Sequence, residues 1–222
     1  ATRETKVLVK NGYAGRYVPP GYLLFARAGN LMAVRFDPAL RRVSGREVPV
    51  ASGVAMESLL GQLHASSSRT GLAAYVPGGD LSIGKLARVA SLRLGGAVEY
   101  LDTPERVYGV VSLRPDGTRL AVHVADVRDF VWTYDVDQRQ GYTLAGSDGE
   151  GFPLWSPDGR RLATGRPGAG LVIREADDSG ALGGRTQILG DGLSAMLFIP
   201  NSWLPGADVL AFRSGPPYRI RV

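Results

Sequence analysis

The chain has 222 residues, of which 44% are hydrophobic and 21% are charged, and its formal net charge is +5. This composition is typical of a folded globular protein, and no apolar run approaches the roughly 18 residues that a membrane-spanning helix needs. The absence of cysteine excludes disulfides, thiolate metal sites and cysteine nucleophiles. The positive charge comes from arginines scattered along the chain, so we expect a solvated surface and no binding of nucleic acid.

Five hairpin-like segments follow one another along the chain, each with two short strands around a turn. They are "RYVPPGYLLFA" (16–26), "SSRTGLAAYV" (67–76), "SLRPDGTRLAV" (112–122), "LWSPDGRRLAT" (154–164) and "SWLPGADVLAF" (202–212). In Pro-Asp-Gly, proline fixes φ for a type I turn and glycine takes the left-handed conformation that follows. The turn glycines Gly21, Gly71, Gly117 and Gly159 are 50, 46 and 42 residues apart. A period in the forties is typical of propeller blades.

Further β-rich segments follow each hairpin. The third strands read "NLMAVRF", "KLARVASLRL", "DFVWTYDV", "GLVIREA" and "YRIRV", and the fourth strands read "REVPVAS", "AVEYLD", "QGYTLAG" and "RTQILG". The sequence therefore predicts an all-β fold, a β-propeller of about five four-stranded antiparallel blades that forms a single domain over residues 1–222. The predicted blades cover residues 13–54, 63–103, 107–147, 151–190 and 194–222.

The fifth predicted blade lacks a fourth strand of its own. The N-terminal segment, residues 3–10, has the pattern of the missing strand, so we expect it to complete this blade and close the ring. A closed ring is expected to be monomeric. Deletion of residues 1–10 is expected to unfold the domain or to make it associate.

The motifs "SPDGRRLA" and "RPDGTRLAV" resemble the Pro-Asp-Gly repeat of TolB-like β-propellers, which are relatives of the WD repeat. The opening "ETKVLVKNGYAGRYVPPGYLLFARAGNLMAVRFDPALRRVSGREVPVASGV" is similar to that repeat in bacterial multidomain proteins, including kinase-linked sensors. The resemblance implies binding of a protein or peptide partner without catalysis, and a periplasmic or other extracytoplasmic location. Many relatives have six blades, whereas five are counted here, so a structural fragment of a larger propeller remains an alternative.

The predicted meander determines which loops share a face. The Pro-Asp-Gly turns lie on one face, and the starts of the inner strands lie on the other face, around the mouth of the central channel. Arginine and aromatic side chains, which are frequent at binding hot spots, concentrate at this mouth. The predicted ligand- or partner-binding residues are Arg16, Tyr17, His64, Arg106, Tyr108, Arg128, Glu150, Phe152, Met196 and Arg213. Asp116 and Asp158 are interpreted as turn-forming residues, and Trp132, Trp155 and Trp203 as packing between blades.

Some propellers are hydrolases, and a hydrolase would need catalytic side chains along its inner strands or a metal site. The predicted inner strands "RYVP", "HASSSR", "VVSLRP", "FPLWS" and "LFIPNSW" contain no Asp or Glu, which argues against a two-carboxylate glycosidase. The two histidines, His64 and His123, lack the context of a serine triad or a zinc site. "DVDQRQG" (135–141) departs from a calcium loop, since Arg139 occupies a ligand position. We therefore expect no catalytic residue, no metal and no cofactor, with a propeller hydrolase or a hydrolase's accessory domain as the alternative.

Overall fold

A computed structural model describes residues 7–57, 62–78, 85–93, 96–189, 197–204, 209–215 and 219–221. These residues form strands and turns, and none of them belongs to a helix. The described chain accordingly has no helix of the length and apolar character that crossing a membrane requires. Alternating and β-branched sequences joined by glycine-containing turns account for this all-β structure.

Five antiparallel sheets follow one another along the chain, and we number them blades 1 to 5. Blade 1 contains β1 (Tyr13–Val18), β2 (Tyr22–Arg27), β3 (Asn30–Asp37) and β4 (Arg42–Ser52). A small hairpin of β5 (Met56–Glu57) and β6 (Gln62–Leu63) precedes blade 2. Blade 2 contains β7 (Ala65–Ser67), β8 (Leu72–Tyr75), β9 (Ala90–Arg93) and β10 (Val98–Tyr100).

The second half of the chain forms the other three blades. Blade 3 contains β11 (Tyr108–Leu113), β12 (Arg119–Val124), β13 (Phe130–Asp135) and β14 (Gln140–Thr143). Blade 4 contains β15 (Gly151–Trp155), β16 (Arg161–Arg166), β17 (Gly170–Ala176) and β18 (Leu182–Leu189). Blade 5 contains β19 (Leu197–Trp203), β20 (Leu210–Gly215) and β21 (Arg219–Arg221). Each blade is a meander in which every strand pairs with the next one in sequence. The prediction of an all-β propeller with about five blades is confirmed.

The Pro-Asp-Gly turns have the predicted geometry. Gly117 and Gly159 have φ of 85° and 72°, and their N–H groups donate to the carbonyls of Arg114 and Ser156 at 2.9 Å. The Asp158 carboxylate accepts the N–H of Arg160 at 3.0 Å. In the other Pro-Asp-Gly turn, the Asp116 carboxylate accepts the N–H of Thr118 at the same distance. Both aspartates therefore stabilise turns, as the sequence predicts.

The hydrophobic core lies between the blades. Each of four buried clusters combines side chains from two consecutive blades, at the junctions of blades 1–2, 2–3, 3–4 and 4–5. The tryptophans Trp132, Trp155 and Trp203 belong to these clusters and are buried, which confirms that they pack blades together. Because the inner strands of blades 2 to 5 also contact one another in order, the blades curve around a common centre.

The fourth strand of blade 5 is absent from the described residues. Residues 7–10 belong to no strand, and residues 3–6 lie outside the described residues. The described end of the segment lies against blade 1, where the Arg27 guanidinium donates to the Lys10 carbonyl at 2.8 Å. Completion of blade 5 by the N-terminal segment therefore stays a prediction.

Candidate functional site

Bulges shape the inner strands of four blades. In β1, β11, β15 and β19 the strand has one extra residue relative to its partner, at Tyr13/Arg16, Tyr108/Val111, Gly151/Leu154 and Pro200/Ser202. An extra residue bends a strand and redirects the side chains beside it. Ala14 and Phe152 lie within two of these bulges and have φ of 53° and 56°, a backbone conformation that is uncommon for residues other than glycine. These bulged segments face the propeller centre.

The bulged segments enclose a cavity of about 180 Å³, which we call the channel cavity. Blades 1, 3, 4 and 5 contribute to its wall, together with the strand β6 that precedes blade 2. The lining residues are Ala14, Gly15, Arg16, Leu63, Val110, Val111, Phe152, Pro153, Leu154, Ile199, Pro200 and Asn201. They come from the starts and middles of the inner strands, so the cavity lies in the half of the channel away from the Pro-Asp-Gly turns.

Arg16 is the charged residue among those that line the channel cavity. Arg16 is exposed to water within the channel, and partial desolvation of its guanidinium by the neighbouring protein lowers the pKa of Arg16. One Nη atom of Arg16 lies 3.5 Å from Ser66 Oγ in blade 2, a distance at the limit of a hydrogen bond. Arg16 therefore brings a positive charge to a wall whose side chains are mostly apolar.

His123 packs against Phe152, which lines the channel cavity. The two rings meet at an interplanar angle of 45°, with 5.1 Å between centroids, and His123 Nε2 lies 3.3 Å from the Asp129 carboxylate. This contact with His123 holds the pKa of Asp129 below its ordinary value. A Cβ at Gly109 or Gly151 would lie 2.6 Å or 2.9 Å from the His123 ring, so both positions leave room for the imidazole. His123 thus supports Phe152 from behind and is separated from the cavity by it.

His64 is buried, with 5% of its surface exposed. Desolvation lowers its pKa from 6.5 to about 4, with a further contribution from the charge of His123, while the backbone of Tyr108 opposes the shift. Among the described residues, neither ring nitrogen has a hydrogen bond of normal geometry. His64 is therefore a neutral core residue above pH 5. The sequence analysis expected it at the channel mouth, and its burial corrects that expectation.

Two other predicted site residues are also internal, which corrects the expectation that they face a partner. Tyr108 is buried, and its hydroxyl donates to the Pro104 carbonyl at 2.7 Å. Glu150 is fully buried and pairs with the guanidinium of Arg174 at 2.6 Å and 3.0 Å, while Thr164 donates to it at 2.6 Å. The polar groups of both side chains are therefore hydrogen-bonded within the protein and are not available to a partner.

The remaining predicted residues are spread over the surface. Tyr17 is exposed and makes an edge contact with Phe36 at 6.0 Å between ring centroids, away from the cavity. Arg106 lies 3.8 Å from the Asp126 carboxylate and over the Phe130 ring. Three further residues complete the predicted set: Arg128 is exposed in the β12–β13 loop, Arg213 lies in β20 with its side chain outside the description, and Met196 lies outside the described residues.

The structure therefore brings two predicted residues, Arg16 and Phe152, to one cavity. The sequence analysis did not select the apolar residues around them, such as Val111, Leu154 and Ile199. These residues lie in the predicted inner strands, and their apolar side chains are the signal that the sequence contains for such a wall. Among the residues that the structure describes, no cluster of three or more histidine, aspartate or glutamate side chains could hold a metal ion.

The structure is similar to solved propellers. It matches a structure assigned as TolB from Agrobacterium tumefaciens with a TM-score of 0.60, 17% identity, and coverage of 92% of this chain and 70% of that one. It also matches TolB from Acinetobacter baumannii with a TM-score of 0.54, 11% identity, and coverage of 94% of this chain and 53% of that one. The fold is that of a TolB-like β-propeller.

Other comparisons add little about activity. A protein assigned as a 6-phosphogluconolactonase from Bacteroides uniformis matches with a TM-score of 0.49 and 16% identity, over 79% of this chain and 53% of that one. The chain thus spans about half the length of two of these three propellers. No protein-family model and no curated protein matches its sequence.

Proposed function

We propose that this TolB-like propeller is a non-enzymatic binding or scaffold module that holds a protein or peptide partner at the channel mouth opposite the Pro-Asp-Gly turns. The observation that carries the proposal is the channel cavity, whose wall combines the inner strands of blades 1, 3, 4 and 5 with the side chain of Arg16. A concave, mostly apolar site with a few convergent polar groups is the usual form of a ligand site. We further propose that residues 1–222 act as one ring with the predicted blade boundaries.

The chemistry of the wall favours binding over hydrolysis. Around the channel cavity, the described lining residues include no carboxylate, histidine, serine or threonine. Acid–base and nucleophilic catalysis both depend on such groups within hydrogen-bond reach of the substrate. Arg16 and Asn201 can orient a ligand, and the apolar residues can bury part of it.

The proposal can be tested by blocking the mouth chemically. Because the chain has no cysteine, Gly15→Cys introduces a single thiol at the mouth, where an added Cβ meets one atom of Leu23 at 3.9 Å. Arg160→Cys introduces the matched thiol at an exposed residue beside a Pro-Asp-Gly turn. Peptides that bind the unmodified protein are first selected from a displayed random library.

Attachment of a bulky maleimide at position 15 is expected to weaken binding of the selected peptides at least tenfold. The same label at position 160 is expected to leave their affinity unchanged. The proposed face would be contradicted if the label at position 160 weakened binding of the peptides and the label at position 15 did not.

A further inference from the structure

The excess of positive charge belongs to the part of the chain that contains blade 1. Residues 1–57 contain nine arginine and lysine residues and four aspartate and glutamate residues, whereas residues 58–222 contain seventeen of each kind. The net charge of +5 therefore arises within residues 1–57, and the rest of the chain is neutral overall. A charge concentrated in this way gives one side of a protein an attraction for partners of the opposite sign.

The outer strand of blade 1 has an open edge. β4 has 11 residues and is the longest described strand, whereas the outer strands β10 and β14 of blades 2 and 3 have 3 and 4 residues. β4 pairs with β3, and none of the described strands pairs with its other side. Most of its side chains are exposed. The backbone N–H and C=O groups along such an edge are a template for a further strand.

Four exposed arginines follow this edge, and we call them the basic edge. Arg42 and Arg46 lie in β4, Arg41 lies in the turn before it, and Arg35 lies in β3. Arg35 pairs with Ser44, which is two residues from Arg42. Because residues two apart in a strand point to the same face, Arg35 and Arg42 are diagonal neighbours on one face. The pairing of β3 with β4 thus brings the arginines together.

The carboxylates near the basic edge already have partners. Asp37 accepts the N–H groups of Ala39 and Leu40 at 2.9 Å and 3.0 Å within the turn, and Glu47 pairs with Arg27. In the described part of the chain, no ion pair involves an arginine of the basic edge. The edge therefore keeps a positive charge that an acidic partner can complement.

The strand edge determines the kind of acidic partner. Backbone hydrogen bonds along an edge suit an extended peptide, and neither a lipid head group nor a nucleic-acid duplex can complete them. A bulge at residues 45–47 limits backbone pairing to the stretches on either side of it, so contacts between side chains must contribute to the affinity. Carboxylates match guanidinium groups with paired hydrogen bonds, and the exposed side chains of Leu40 and Val48 offer apolar contacts.

The arginines also determine which strands are rejected. Pairing of β4 with a second copy of itself would bring arginines together, and like charges on neighbouring strands destabilise a sheet. The edges of blades 2 and 3 are protected in another way, because β10 and β14 are short. Blade 1 combines a long edge with an excess of one charge, which disfavours self-association and favours an acidic strand.

From these observations we propose that the basic edge is a docking surface for an extended acidic segment of a partner protein, which binds as an additional strand beside β4. The carboxylates of the segment pair with the arginines of the basic edge. The inference goes beyond the proposed function, because the channel cavity is lined by inner strands and β4 is the outer strand of its blade.

The probe is a fluorescent, end-capped octapeptide with the sequence Glu-Val-Glu-Thr-Glu-Val-Glu-Thr, and its binding is measured by fluorescence anisotropy. We expect it to bind the wild-type protein, and to bind less tightly as the salt concentration rises. A Glu-Pro repeat of equal length and charge cannot pair as a strand and is expected to bind at least tenfold more weakly. A peptide with lysine in place of glutamate is expected not to bind.

Charge-reversing variants locate the site. Arg42→Glu/Arg46→Glu is expected to weaken binding of the acidic peptide at least tenfold, and the neutral variant Arg42→Gln/Arg46→Gln to weaken it less. The control Arg139→Glu/Arg160→Glu changes the net charge equally at exposed residues of blades 3 and 4, and it is expected to change the affinity by less than twofold. Unfolding temperatures close to that of wild type show that the variants are folded.

The inference is overturned if the acidic peptide does not bind, if the Glu-Pro repeat binds equally tightly, or if both charge-reversing variants lose binding alike. It is also overturned if vesicles containing phosphatidylserine, or a DNA duplex, bind through Arg42 and Arg46 while the acidic peptide does not. A maleimide label on Gly15→Cys is expected to leave binding of the acidic peptide unchanged. Failure of the basic edge and failure of the proposed function at the channel mouth are therefore distinguishable.

Discussion

The hydroxyl of Ser112 in blade 3 accepts the backbone N–H of Trp155 in blade 4 at 3.0 Å. The preceding junction repeats this arrangement, because the hydroxyl of Ser66 in blade 2 accepts the N–H of Leu113 in blade 3 at 2.9 Å. All four residues are buried. Neighbouring inner strands in a propeller are too far apart for a continuous sheet, so a side chain completes the backbone hydrogen bonding between them.

Substitution Ser112→Ala should therefore destabilise the fold. The buried N–H of Trp155 would lose its acceptor, which costs about 1–3 kcal/mol of unfolding free energy. Denaturant unfolding of the variant measures this loss. Ser44→Ala, at an exposed position in β4, is the control and should change stability by less than about 0.5 kcal/mol. Equal stability of both variants would show that the junction hydrogen bond is dispensable.

The buried pair of Glu150 and Arg174 should show a strong asymmetry between single and double substitutions. Glu150→Gln leaves the Arg174 charge buried without compensation, so we expect a loss of about 3–5 kcal/mol in unfolding free energy. The double variant Glu150→Gln/Arg174→Met removes both charges and should be more stable than Glu150→Gln alone. A double-mutant cycle by denaturant unfolding measures the coupling. Additive losses would contradict an energetically coupled pair.

Packing between blades 4 and 5 depends on the absence of a side chain at Gly165. A Cβ there would overlap the backbone carbonyl of Phe198, and backbone cannot move aside as a flexible side chain can. We expect Gly165→Ala to cost about 3 kcal/mol or more in unfolding free energy. Gly183→Ala in the same blade is the control, since its Cβ would meet its nearest neighbour at 3.5 Å. Similar unfolding midpoints for the two variants would refute the close approach.

Stability should also depend on the protonation of His64. The pKa of His64 is about 4 in the folded protein and 6.5 when the side chain is free, so protons bind more readily to the unfolded chain. The resulting stabilisation is fully present above pH 6.5 and is lost as the pH falls from 6.5 towards 4, by a total of about 3 kcal/mol.

The variant His64→Leu should lack this loss between pH 6.5 and pH 4. Carboxylates such as Asp129, whose pKa is lowered, contribute at more acidic pH and remain in the variant. Unfolding free energies of wild type and His64→Leu at pH 7 and pH 4.5 provide the measurement. Parallel pH profiles for the two proteins would show that His64 is not the titrating group.

The repeat and its turns were predictable because their causes are local. Pro157, Asp158 and Gly159 specify a turn by their own conformational preferences, and the tryptophans mark the blade contacts through their size. The carboxylate of Glu150 was interpreted as a rim group because its partner, Arg174, lies 24 residues away in sequence. Burial of this kind depends on how strands pair, and a motif does not contain that information.

The channel cavity was harder to predict for a related reason. The sequence analysis placed Arg16 and Phe152 at the mouth, and the structure places both residues in the cavity wall. The bulges that direct Val110, Pro153 and Asn201 towards the same space arise from the register of one strand against the next. An extra residue in one strand has no sequence signal comparable to that of Pro-Asp-Gly.

The most direct test of the account is a map of where a selected peptide contacts the protein. Backbone chemical-shift changes in isotope-labelled protein are recorded as the peptide is added. We expect the largest changes on residues 14–16, 110–111, 152–154 and 199–201, and no change at the turns 115–117 and 157–159. Changes centred on those turns, with the residues of the channel cavity unaffected, would contradict it.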